Sequence, residues 1–257
     1  FPPKAYKSLF DLLNKDISVD SFLLRPLNKN LENTKEEIKN WEPFGIDFMN
    51  SLNDQEQIIG MGHSIGGNIV LRTALRKPQY FSKIILLDPT LFIPKIIFAW
   101  KIIEKIGLQN RIHPWIKETL NRRITYNDSG EMFNSYRKKK VFSKIDDFNL
   151  KIYINSITET ADNNKLNIIY SKHWEYIIYK TGLIADMYIW ENIKNLDIPT
   201  LIIKAESSTA FYNSAANKIK KLNKKNINII QIKGSTHLFP LEQAEQTSKE
   251  ILSFIKE

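Results

Sequence analysis

Cysteine does not occur in the 257 residues. Its absence excludes disulfides, iron–sulfur clusters and thiol catalysis, and it agrees with a reducing, cytoplasmic setting. Long hydrophobic runs are missing too. The most apolar stretch, around Ile93 to Ile103, is broken by Lys95 and Lys101, so no membrane span is expected. The opening Phe1-Pro2-Pro3-Lys4 lacks the basic region and apolar stretch of a secretory signal. Acidic residues are the scarcer charge, 28 against 37 basic ones, for a net charge of +9. The lysine excess is dispersed along the chain; only Lys138 to Lys140 form a tight run. With no recognised nucleic-acid motif beside it, that run reads as solvated surface, and no nucleic-acid partner is expected.

What is present describes a globular enzyme-sized chain. Hydrophobic residues make up 42% and charged residues 25%, far from the composition of disordered chains. The length favours one catalytic domain with an insertion. Short β-branched runs alternate with longer helical patterns, the signature of a mostly parallel sheet flanked by helices. Strands are predicted near Val19 to Leu24, Gln57 to Met61, Lys83 to Leu87, Thr200 to Lys204 and Asn226 to Ile232. Between the first two, the capping box Thr34-Lys35-Glu36-Glu37 opens a predicted helix that buries Ile38, Trp41, Ile46, Met49 and Leu52 and breaks at Pro43. A last helix is predicted from Leu241 to Ile255. From Leu91 to Leu196 the pattern is helical, without a clear buried strand, and rich in aromatics such as Phe98, Trp100, Trp115, Tyr136, Trp174 and Trp190.

Glycine is sparse, yet four of the nine residues fall in Gly60-Met61-Gly62-His63-Ser64-Ile65-Gly66-Gly67, between an apolar strand and a helical pattern. A serine at the tip of a tight strand-to-helix turn adopts strained backbone angles, and small residues two before and two after it let strand and helix approach. A dinucleotide fingerprint is excluded because Ile65 stands where its third glycine belongs, and a phosphate loop because no Gly-Lys-Ser or Gly-Lys-Thr follows. A serine hydroxyl needs a base to attack at neutral pH. Of the four histidines, His63 is expected to point away within the turn and support packing. His113 and His173 lack acidic or histidine partners at ligand spacing, so no metal site and no cofactor is expected. His237 remains, in Gly234-Ser235-Thr236-His237-Leu238, after the last predicted strand.

The segment Gly62-His63-Ser64-Ile65-Gly66 resembles the nucleophile elbow G-x-S-x-G of the α/β-hydrolase superfamily, and the setting of His237 is similar to that family's terminal histidine loop. The resemblance implies an α/β-hydrolase fold. Its core would comprise residues 1–89 and 197–257, with a helical cap at 90–196 over the carboxyl edge of the sheet. It further implies Ser64 as nucleophile, His237 as base and the Ile65 backbone N–H as one oxyanion donor. Relatives commonly carry the triad aspartate after the strand that here reads Thr200 to Lys204, but Ser207, Ser208 and Thr209 stand there. Asp88, ending the strand after the elbow helix, is the preferred acid, with Glu206 as the alternative. The opening residues look like the segment just downstream of an oxyanion loop, so N-terminal strands are expected to be missing from this chain.

The implied reaction is hydrolysis of a small to medium apolar ester through an acyl-enzyme on Ser64. Carbon–carbon bond hydrolysis or amide hydrolysis by the same triad is the alternative within enzymes. A non-catalytic ligand-binding protein on a hydrolase scaffold is the alternative outside them. The partner expected is a small-molecule ester; the oligomeric state is not legible.

Overall fold

The computed structural model describes residues 1–28, 31, 37–53, 56–161, 164–184 and 186–257. Among them seven strands occur: β1 (Ile58–His63), β2 (Phe81–Leu87), β3 (Thr125–Tyr126), β4 (Thr158–Thr160), β5 (Leu166–Ile168), β6 (Thr200–Ser207) and β7 (Ile227–Thr236). The long strands form a parallel sheet in the order β1-β2-β6-β7, and the short ones an antiparallel sheet in the order β3-β5-β4. Parallel strands covered on both faces cannot alternate apolar with polar residues. Ile84, Ile85, Leu86 and Leu87 in β2, and Leu201, Ile202 and Ile203 in β6, are accordingly all buried.

By their internal contacts the residues fall into two compact units. The unit of residues 35–119 and 176–237 holds the parallel sheet. Its core joins Val70, Leu71 and Ala74 of helix Ile65–Arg76 to Ile84, Leu86 and Ile202 of the sheet and Ile219 of helix Asn213–Leu222. The unit of residues 1–34, 120–175 and 238–257 holds the antiparallel sheet, with a core that includes Tyr126, Met132, Tyr136, Leu150, Tyr153 and Leu241. Two of its helices, Ser129–Arg137 and Asp147–Ser156, open on aspartates that accept a backbone N–H, Asp128 from Glu131 and Asp146 from Asn149.

Several elements differ from the sequence-based expectation. Val19 to Leu24 forms no strand. Val19, Phe22 and Leu24 are half-buried, but the consecutive Asp20 and Ser21 are both exposed, which breaks the alternation of a strand, and the segment pairs with no strand among the described residues. Thr34, Lys35 and Glu36 of the expected capping box lie outside the described residues, and Glu37 is not helical. The helix runs from Glu42 to Asn50, with Pro43 in its first turn, where a missing N–H costs nothing, so proline starts the helix instead of breaking it. Phe44 is buried there, while Ile46 is 40% exposed. The segment expected to be helical without a clear buried strand also contains β3, β4 and β5, each of two or three residues and too short to show a period in the sequence.

Helix Ile65–Arg76 lies against β1 and β2, and glycine permits the approach at Gly62 and Gly67. A Cβ on Gly62 would collide with the backbone of Gly66 and come within 2.6 Å of Gly67 N; one on Gly67 would lie 2.9 Å from Pro89 Cβ. Gly66, which the elbow pattern also specifies, has open space around it. Thermal unfolding should therefore separate the two pattern glycines. Gly62→Ala is expected to destabilise by about 1–3 kcal/mol through overpacking. Gly66→Ala, inside the helix, is expected to be neutral or to stabilise by about 0.5–1 kcal/mol.

Candidate active site

Ser64 follows β1 with φ 57° and ψ −119°, a left-handed conformation that a non-glycine residue keeps only when its surroundings enforce it. They do so through three backbone bonds. Its N–H donates to Leu87 C=O at 3.0 Å, and its C=O accepts from Asn68 N–H at 3.2 Å and Thr90 N–H at 3.0 Å. The register pairs His63 with Leu87, so the residue after each strand, Ser64 and Asp88, emerges at the same edge of the sheet. Asp88 is the second strained residue there, with φ 39°.

Asp88 is fully buried and held by donors on both oxygens. Oδ1 accepts Ala205 N–H at 2.9 Å; Oδ2 accepts the Ser208 hydroxyl at 2.6 Å and lies 2.7 Å from His237 Nδ1. His237 Nε2 lies 3.0 Å from Ser64 Oγ. Assigned from these partners, Nδ1 carries the proton that Asp88 accepts, and the Nε2 lone pair faces the serine hydroxyl. Ser64, His237 and Asp88 thus stand in one hydrogen-bonded line. Ile65 opens the helix, where its N–H has no intrahelical acceptor. Glu206 is placed elsewhere. Its Oε2 accepts Gly234 N–H at 2.7 Å, and among the described residues Asp88 is the carboxylate bonded to His237. Ser208, one of the hydroxyl residues standing where relatives carry the aspartate, instead donates to Asp88.

Other residues at the site were not legible in the sequence. His63 was expected to turn away, but its ring lies 4.7 Å from the His237 ring, and its Nε2 donates to the His237 backbone C=O at 2.8 Å. Burial, reinforced by the neighbouring His237 imidazole, holds His63 well below the ordinary histidine range, so it is neutral. Thr90 Oγ1 lies 3.2 Å from Ser64 Oγ, and Thr90 C=O accepts Asn68 Nδ2 at 2.8 Å. Asn68 also donates to Asp186, whose other oxygen accepts Phe92 N–H at 3.0 Å. Asp186 has no exposure, and burial raises its carboxyl to about 7 against the opposing pull of these donors and Arg72. The one signal in the sequence was proximity to Asp88 for Thr90; Asp186 is remote along the chain and gave none. His113 packs between Trp100 and Tyr179 with ring centroids 5.5 Å from each, and its Nδ1 accepts Trp115 N–H. Among the described residues no group of three histidine or acidic side chains is placed to hold a metal, and no helix is long and apolar enough to cross a membrane.

A parallel sheet flanked by helices, with a strained serine between strand and helix, defines an α/β-hydrolase. The family model described as "Serine aminopeptidase, S33" (Hydrolase_4) matches residues 30–244, and the chain belongs to this serine-hydrolase-type family. It is 26% identical over 205 residues to the uncharacterized hydrolase YugF of Bacillus subtilis (strain 168), covering 78% of this chain and 66% of that protein. The chain thus spans just under two thirds of that relative's length. The fold is also that of an N-formylmaleamic acid deformylase from Pseudomonas putida S16, with TM-score 0.68, 16% identity, and 98% of this chain and 87% of that one covered. A third similarity is to the enol-lactonase from Burkholderia xenovorans LB400, with TM-score 0.63, 13% identity and coverages of 100% and 87%.

Two outcomes follow from the residues that frame the line. Removing the His63 donor should free the His237 backbone: His63→Ala is expected to lower kcat/KM on a p-nitrophenyl ester about tenfold, and His63→Gln, which keeps a donor, to recover part of the loss. Asp186 binds its proton more tightly folded than unfolded. The stability this contributes is complete below its unfolded pKa near 4 and is lost as pH rises through about 7. Thermal unfolding between about pH 5 and about pH 8 should show wild type losing stability relative to Asp186→Asn.

Proposed function

We propose that the protein is a carboxylesterase in which Ser64 attacks an ester carbonyl and His237 moves the proton. The observation that supports this most directly is the bonded line from the buried Asp88 carboxylate through His237 to the Ser64 hydroxyl. His237 Nε2 takes the serine proton as Oγ bonds to the carbonyl carbon, and Asp88 keeps Nδ1 protonated and stabilises the imidazolium. The oxyanion is received by the Ile65 N–H at the positive end of its helix. The tetrahedral intermediate collapses to an acyl-enzyme, His237 protonates the departing alkoxide, and water activated by the same nitrogen releases the acid.

In this reading residues 90–196 act as the cap. They are inserted between β2 and β6, which pair directly in the sheet, so the insertion leaves and rejoins it at neighbouring strands. The aromatic character of this segment supports a small to medium apolar acyl or alcohol group. The lack of cysteine supports a cytoplasmic setting.

A fluorophosphonate probe and a series of p-nitrophenyl esters of increasing acyl length test the proposal together. The wild type should be labelled once, at Ser64, and should hydrolyse the series with a maximum at short to medium length. Ser64→Ala should abolish both labelling and turnover. Asp88→Asn should reduce kcat by about 10⁴, as loss of the tautomer-fixing acid does in serine proteases, while Glu206→Gln stays near wild type. An unlabelled wild type, or an Asp88→Asn variant of near-normal rate, would overturn the assignment.

A further inference from the structure

Helix Pro94–Lys105, in the unit that holds the parallel sheet, is anchored on one side and bare on the other. Ile97 and Trp100 are buried, and Trp100 Nε1 donates to the Lys180 C=O. On the other side stand Phe98, Ile102 and Ile106, 68%, 49% and 60% exposed. Residues four apart stack on one face of a helix, so these three make a continuous apolar stripe. Lys95, Lys101 and Lys105 are exposed along the same helix, and none of them is in an ion pair among the described residues. Glu104, the one acidic residue of the helix, is half-buried. The short helix Gln109–Ile112 packs beside it and adds Ile112, 50% exposed, next to the exposed Arg111.

An apolar stripe left in water and rimmed by charge of one sign marks a contact surface. The charge decides the kind of partner. A second copy seated face to face would oppose lysine to lysine, and a nucleic acid would answer the lysines but leave the apolar stripe without a partner. An anionic bilayer meets both requirements, since apolar side chains enter the headgroup and acyl boundary while flanking lysines stay at the level of the lipid phosphates. We propose that the face of helix Pro94–Lys105 formed by Phe98, Ile102 and Ile106 and flanked by Lys95, Lys101 and Lys105 docks the protein on the surface of anionic membranes. The helix lies in the interface and does not span the bilayer. This inference stands apart from the chemistry assigned to Ser64, and its test reads binding, not turnover.

Co-sedimentation with vesicles of phosphatidylcholine, with and without phosphatidylglycerol, gives the measurement. The protein should partition to the phosphatidylglycerol vesicles at low salt, much less to pure phosphatidylcholine, and should be released as salt approaches about 1 M. The triple variant Phe98→Ser, Ile102→Ser, Ile106→Ser should bind at least a hundredfold more weakly, as should Lys95→Gln, Lys101→Gln, Lys105→Gln. Both variants should keep the wild-type circular dichroism and melting profile, because the substituted side chains are exposed. No partition of the wild type to anionic vesicles, or equal partition by the variants, overturns the proposal. So does a salt-resistant dimer that becomes monomeric in the serine variant, which would assign the face to a second copy of the chain.

Discussion

A carboxylate removed from water must find donors in the protein, and around Asp88 this requirement shapes the edge of the sheet. Transferring an ionised group to the interior costs far more than one ordinary interaction returns, so both oxygens have to be satisfied together. The Ala205 N–H of β6, the Ser208 hydroxyl and the His237 imidazole do this. Each donor comes from a different segment. Satisfying one aspartate therefore fixes the end of β6, the loop after it and the residue after β7 relative to the end of β2. The imidazole held in this way has its remaining nitrogen turned to Ser64.

Two residues in left-handed backbone conformation, Ser64 and Asp88, follow paired strands at the same register position. Such strain persists when the neighbourhood over-determines it, and here the two residues share their supports. Ser64 N–H reaches Leu87 C=O, one residue before Asp88, while Thr90, two residues after it, returns an N–H to Ser64 C=O. The pair behaves as one braced unit. Beneath it, Asn68 links Thr90 to Asp186, so the helix that starts at the serine is tied to the chain segment that follows the acid. The protonated form that burial favours at Asp186 removes a charge from this network and leaves its hydrogen-bonding atoms in place.

Much of the fold and the site can be read in the sequence because the signals are local. The clustered glycines around Ser64 state a close backbone approach, the unbroken apolar runs of β2 and β6 state strands buried on both faces, and the terminal histidine follows the last strand. Asp88 was legible as a strand-end acid. Readings failed where a local pattern depended on a distant partner. Val19 to Leu24 carries the apolar residues of a strand but has no strand to pair with among the described residues, and β3 to β5 are too short for a period yet form by pairing with one another. His63 had no local feature to show that its ring would support the backbone of His237.

By itself the sequence determined the chemistry available: a serine in a turn that strains it, one histidine after the last strand, two eligible carboxylates and a scattered excess of lysine. Periodicity and backbone preference act between near neighbours and are written in the order of residues. The tertiary structure alone chose Asp88 over Glu206 as the partner of His237 and moved Ser208 from an apparent gap in the pattern to a donor. Those outcomes depend on strand register and helix packing, which bring together residues far apart in the chain and are set by the burial of the whole core.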